Sequence, residues 1–141
     1  MHVMSEDEVR AFLSAGTRTG KLAVVRRDGR PLVTPVWFVL DGGDLVFTTS
    51  AGSVKGRALR RDPRVSLCVD DERPPFAFVR VDGVAEVSED VGELLTWATR
   101  LGARYMGEDQ AEAFGRRNAT PGELLVRVRP THVVGQSALT E

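Results

Sequence analysis

LVFTTSAGSVKGRALRRDP, residues 45–63, is the stretch from which the rest of the chain is read. An apolar run, Leu45 to Phe47, leads through Thr48, Thr49 and Ser50 into a loop of small residues. Ser53 stands as the N-cap of a helix that carries Lys55, Arg57, Arg60 and Arg61. That helix is expected to stop before Asp62-Pro63, because proline excludes the helical conformation from the residue before it. A strand that delivers a small-residue loop onto a cationic helix start is suited to hold phosphate. Gly52 lets backbone amides approach an anion, the first-turn N–H groups and the helix dipole favour negative charge, and Lys55 adds a mobile cation. The hydroxyls of Thr48, Thr49 and Ser50 lie beside the loop and are candidate phosphate ligands, or else reflect β propensity. A surface helix with a solvated basic face is the plain alternative, and these residues alone leave both readings open. Residues two apart on a helix diverge, at about 100° per residue, so Lys55 and Arg57 do not serve one anion. Lys55, in the first turn, is the phosphate candidate. Arg57 is left for a second anionic group, a partner subunit or water.

Upstream, Ser5 followed by Glu8 forms a capping box for a helix over residues 5–15, with Val9, Phe12 and Leu13 on one face and Gly16 ending it. KLAVVRR (21–27) and PLVTPVWFVL (31–40) read as strands joined by the turn Asp28-Gly29, and Asp41-Gly42-Gly43 leads into LVFTTS. Three strands with tight turns predict an antiparallel meander. Pro35 lacks an N–H and predicts an edge or a bulge. Trp37 and Phe38 are consecutive and so face opposite sides. One can enter the core; the other needs a planar ligand, a second subunit or a covering helix.

Downstream, RVSLCVD (64–70) and FAFVRVDGVAEVS (76–88) read as the fourth and fifth strands, the latter with a bulge at Gly83. Phe76 and Phe78 share a face and are read as core, and Cys68 as a buried small hydrophobe. Leu94, Leu95, Ala98, Leu101 and Tyr105 mark a main helix over 90–106, with Trp97 as a packing or interface residue, and a shorter helix follows at 111–117. ELLVRVRP (123–130) is the sixth strand, which THVVGQ prolongs if the chain continues past Pro130. Arg80 and Arg127 are candidates to line a shared groove. The fold class is therefore mainly β (α+β): six antiparallel strands curled into a barrel with peripheral helices, in a single domain over residues 1–141.

Composition narrows the function classes. With 42% hydrophobic and 28% charged residues, a 141-residue chain can bury a core. A net charge of −1 disfavours nucleic acid as a partner. No apolar run reaches membrane-spanning length, and the acidic MHVMSEDEV has no apolar leader, so a cytoplasmic location is expected. One cysteine and two distant histidines, His2 and His132, argue against an internal disulfide or a metal site. GxSxG, HExxH, Walker and GxGxxG patterns are all missing. If the chain is an enzyme, a cofactor carries the chemistry.

VFTTSAGSVKGRALRRDPRVSL strongly resembles the cofactor-phosphate segment of the pyridoxine 5'-phosphate oxidase-like split β-barrel flavoproteins. The resemblance extends over GKLAVVRRDGRPLVTPVWFVLDG, RPPFAFVRVDGVAEV and GELLVRVRPTHVV. It is nearest to the actinobacterial branch that uses the deazaflavin coenzyme F420. The resemblance implies a six-stranded split barrel that forms a homodimer with a site between subunits. It implies hydride transfer between F420 and a small organic substrate. Thr49, Ser53 and Lys55 would hold the phosphate, the backbone of Pro35, Val36 and Trp37 would lie along the ring, and Arg57 would reach the phosphate or a glutamate tail. Val54 stands where the FMN oxidases have an arginine, and TPVWFV is neutral where they carry Arg and Lys. Those departures favour the deazaflavin over FMN. An FMN-dependent oxidase or reductase, and a non-catalytic cofactor carrier, are the alternatives.

Overall fold

The first helix forms for the reason its sequence gives. In the computed structural model, which describes residues 1–141, Ser5 Oγ accepts the Glu8 N–H at 3.2 Å and the Glu8 carboxylate accepts the Ser5 N–H at 3.0 Å. This closes the capping box of α1 (Glu6–Ser14), after a short strand β1 (His2–Val3). There follow β2 (Gly20–Val25), β3 (Pro31–Val36), β4 (Val39–Asp41), β5 (Asp44–Ser50), α2 (Val54–Arg61), β6 (Arg64–Asp71) and β7 (Ala77–Ser88). The chain ends with α3 (Val91–Met106), a 3-10 turn at Glu108–Gln110, α4 (Ala111–Asn118) and a long strand, β8 (Glu123–Ser137).

The strands form one antiparallel sheet in the order β3-β2-β6-β7-β8-β5-β4, with β1 added beside β8. The expectation of six strands is corrected to eight, and the sheet is not closed. The main cause is at Trp37-Phe38. Residues 31–36 pair with β2, placing Lys21 opposite Pro35, whereas residues 39–41 pair with β5, placing Val39 opposite Val46. These partners stand toward opposite ends of the strand order, so the expected single strand over 31–40 breaks between them. The sheet curls until β3 and β4, its two ends, are linked by two residues of chain. Pro35 lies on the edge strand β3, where its missing N–H leaves no ladder bond unmade.

Inside the curl, Leu22, Leu67, Val79, Val81, Phe47 and Val126 pack with Phe38, while Leu13 of α1 and Ala58 and Leu59 of α2 join the same cluster. A smaller cluster of Val46, Leu94, Trp97 and Leu125 lies beneath α3, so Trp97 is a packing residue. Gly83 marks the bulge its sequence suggested. The β7–β8 register shifts between Asp82 and Gly83, and a Cβ on Gly83 would come within 2.6 Å of the Arg129 carbonyl oxygen. Pro130 lies opposite this bulge, and β8 runs on past it to Ser137.

Three smaller expectations fail. Phe76 precedes β7 at φ 63° and is exposed, and Phe78 is half-buried on the outer face; Val79 and Val81 take the interior. Cys68 also lies on the outer face of β6, half-buried between Lys21 and Arg80, where burial raises its thiol pKa. Arg80 and Arg127 share no groove. Arg80 pairs with Asp82, whereas Arg127 bonds Asp41 at 2.8 Å and Asp44 at 3.2 Å beside Trp97.

Candidate functional site

The start of α2 is held from within its own loop. Ser53 Oγ accepts the Gly56 N–H at 2.9 Å and donates its proton to the Ser50 carbonyl at 2.8 Å. Ser50 Oγ accepts the Gly52 N–H at 3.2 Å, and Arg57 donates to the Gly52 carbonyl. Gly56 is required here, because a Cβ would collide with the Ser50 carbonyl oxygen. The Val54 and Lys55 N–H groups, at the first two helical positions, have no acceptor in the protein. Beside them the Lys55 ammonium has one polar contact, Thr34 Oγ1 at 3.4 Å, and no ion pair. Burial holds its pKa below the ordinary lysine value.

Lys55 lines a cleft of about 200 Å³. Pro35, Val36 and Trp37 form one side, Thr48 and Lys55 the base, and α3 and α4 supply Ala98, Leu101, Gly102, Phe114 and Asn118. Trp37 stacks on Tyr105 with ring centroids 4.9 Å apart and planes 4° off parallel, and Phe114 lies 5.8 Å away, tilted. The corner that carries Trp37 is pinned from α3. Arg104 donates to the carbonyls of Phe38 and Leu13, each at 2.7 Å, and to that of Gly16 at 3.0 Å. The Tyr105 hydroxyl accepts the Phe38 N–H at 3.2 Å and donates to the Arg18 carbonyl at 2.9 Å. Burial raises the pKa of that phenol.

The structure thus gathers five of the sequence candidates, Pro35, Val36, Trp37, Thr48 and Lys55, around one cleft. The others fall outside its lining. Thr49 is buried on the opposite face of β5, Ser50 is the exposed last residue of that strand, and the Ser53 proton is committed to the cap. Arg57 lies on the far side of α2, as the two-residue spacing from Lys55 requires, in a groove with Arg26, Arg27 and Arg61. Sequence reading missed the helical wall. Its signal is the glycine pair Gly102 and Gly115. A Cβ on Gly102 would come within 2.7 Å of Phe114 Cβ, and one on Gly115 would collide with Thr99. The two helices pack this closely only with glycine at both positions, and that brings Phe114 to the cleft.

A larger cavity of about 740 Å³ lies between α1, the β4–β5 turn and residues 130–135. It is remote from Lys55 and its helix start. The smaller cleft is the candidate site because the unpaired, half-buried Lys55 lines it at the start of the helix that carries the free N–H groups.

A family model described as Pyridoxamine 5'-phosphate oxidase matches residues 5–136. The chain belongs to the pyridoxamine 5'-phosphate oxidase family. Among solved structures of its split-barrel class, the conserved hypothetical protein Rv2991 of Mycobacterium tuberculosis is 30% identical at a TM-score of 0.87, over 99% of this chain and 89% of that one. A protein described as an F420 reductase is also 30% identical, at a TM-score of 0.68, over 87% of this chain and 94% of its own. A FAD-binding protein of Mesorhizobium loti is 25% identical at a TM-score of 0.68, over 95% and 93% of the two chains.

Proposed function

We propose that this member of the family is an F420-dependent oxidoreductase that moves hydride between the deazaflavin and a small organic substrate. The observation that carries the reading is Lys55, a half-buried lysine with no anionic partner beside two free helix N–H groups, lining a cleft with an aromatic wall. This donor set fits the phosphate of a ring cofactor. The ammonium supplies charge, the Val54 and Lys55 N–H groups supply directed hydrogen bonds, and Thr48 supplies a hydroxyl. The edge backbone of Pro35 to Trp37 offers a surface along which a planar ring can lie. The cofactor's ring supplies the hydride chemistry; the protein positions it and excludes water. Lys55 is the only ionisable side chain that lines the cleft, so water delivers the proton.

Two features favour the deazaflavin over FMN. Lys55 is the one cation in the cleft, with exposed Val54 beside it where the FMN oxidases carry arginine. The similar F420 reductase is 30% identical over most of both chains. The FMN reading keeps the support of the family's oxidases and of the similar FAD-binding protein.

The proposal includes a homodimer. At about 200 Å³ the cleft is smaller than the roughly 300–1,000 Å³ usual for a cofactor site, so a second subunit has space to complete. The outer face of β2, β3 and β6 offers Val33, 60% exposed, next to Ala23 on β2.

The test is turnover: reduced F420 is mixed with a panel of quinones, enones and nitroaromatics, and reoxidation of the deazaflavin is followed by absorbance. Protein-dependent reoxidation supports the reading. Tight binding without reoxidation by any acceptor would make the protein a cofactor carrier.

A further inference from the structure

Part of the inner face of the curled sheet is left uncovered beside α1. Val133 stands opposite Val81 in the β7–β8 ladder, and directly opposed residues share a face, so Val133 points inward with Val81. Val81 is buried, whereas Val133 is 40% exposed. The space before it is the cavity of about 740 Å³, floored by Leu13, Leu45 and Val81 of the core and walled by Val9 and Leu40. Helix α1 is held at both ends and does not close it. At one end the Met4 N–H bonds the Gly135 carbonyl at 2.9 Å, and a Cβ on Gly135 would come within 2.8 Å of Val9. At the other, Arg104 donates to the Leu13 carbonyl at 2.7 Å. The apolar space is therefore a fixed feature of the fold, and its size is that of a small-molecule site.

The charges that line the cavity oppose one another. Glu6 and Arg10 are one turn apart on α1, and Asp44 accepts a hydrogen bond from Arg127 at 3.2 Å. An ion entering here would lose hydration and meet no unopposed counter-charge. His132, exposed at the rim, offers a hydrogen-bonding group. We infer that this cavity binds an elongate, uncharged apolar molecule, such as a long-chain alcohol or ketone, with its one polar group at His132 or Arg10. The inference does not depend on which cofactor the Lys55 cleft takes.

Fluorescence titration of the full chain with N-phenyl-1-naphthylamine, an uncharged probe that brightens on leaving water, tests it. Saturable binding of one probe per chain is expected. Dodecanol should displace the probe at least tenfold more effectively than dodecanoate or dodecyltrimethylammonium. Val133→Asp is expected to weaken probe binding at least tenfold with unchanged circular dichroism, and Val3→Asp, on the same rim, to weaken it as well. Val91→Asp, at a similarly exposed valine at the start of α3, should leave it unchanged. Equal losses from Val133→Asp and Val91→Asp would overturn the inference, as would displacement by either charged chain as effective as that by dodecanol. Conversion of a dimer to monomers by the probe, followed by light scattering, would also overturn it and make the cavity a subunit interface.

Discussion

Replacing Lys55 with methionine separates what this residue does for the fold from what it does for a ligand. Methionine keeps an unbranched stem of similar length and discards the charge. In the free protein, burial penalises the ammonium, and its one polar contact is Thr34 Oγ1 at 3.4 Å. Nothing on the protein side offsets that penalty, so Lys55→Met should melt at the wild-type Tm or above it at pH 7. The sign follows from the depressed pKa: the folded chain binds this proton less readily than the unfolded chain. The penalty is therefore complete below the folded pKa and disappears as pH rises through the unfolded value, near about 10.4. The Tm advantage of the variant should shrink accordingly toward alkaline pH. Binding should move the other way. A charge-assisted hydrogen bond to phosphate contributes about 1.5–3 kcal/mol, roughly a ten- to hundredfold change in Kd. Thermal unfolding at pH 7 and 10 and a fluorescence titration with the phosphate-bearing cofactor measure both halves. A Tm several degrees lower with unchanged affinity would refute the reasoning and make Lys55 a structural residue.

Gly56→Ala drives a methyl group into the Ser50 carbonyl and should destabilise the fold by about 1–3 kcal/mol in urea unfolding, with loss of cofactor affinity as the loop is displaced. Arg104→Met strips donors from the carbonyls of Leu13, Gly16 and Phe38, and a cost on the order of 3 kcal/mol is expected from the same measurement; an unchanged midpoint would show that water replaces them. Val33→Glu places a charge on the bare outer face of β3. Light scattering coupled to size exclusion should then show a monomer where the wild type is a dimer, and a monomeric wild type would remove the two-subunit site.

The parts of the fold that were legible in sequence are those that local chemistry decides. The Ser5–Glu8 capping box, the Asp28-Gly29 turn, the Ser53 cap and the Gly83 bulge each rest on residues a few positions apart. The break at Trp37-Phe38 was hidden because neither residue opposes strand structure. It arises from where the sheet's two ends meet, which depends on partners far along the chain. Phe76 and Phe78 were misread because both faces of that stretch are apolar, and curvature gave the interior to the smaller Val79 and Val81. In the candidate site, the Lys55–Arg57 divergence followed from helical spacing alone. The wall from α3 and α4 did not, since Phe114 reaches the cleft only through the close approach of Gly102 and Gly115.

The most direct test of the central claim is cofactor preference, measured by titrating the apo protein separately with F420 and FMN and following quenching of tryptophan fluorescence. Trp37, at the edge of the cleft, is the reporter. The account predicts F420 binding at about micromolar Kd or tighter, with FMN at least tenfold weaker, a gap of about 1.4 kcal/mol or more. Tighter binding of FMN, or binding of neither, would contradict it.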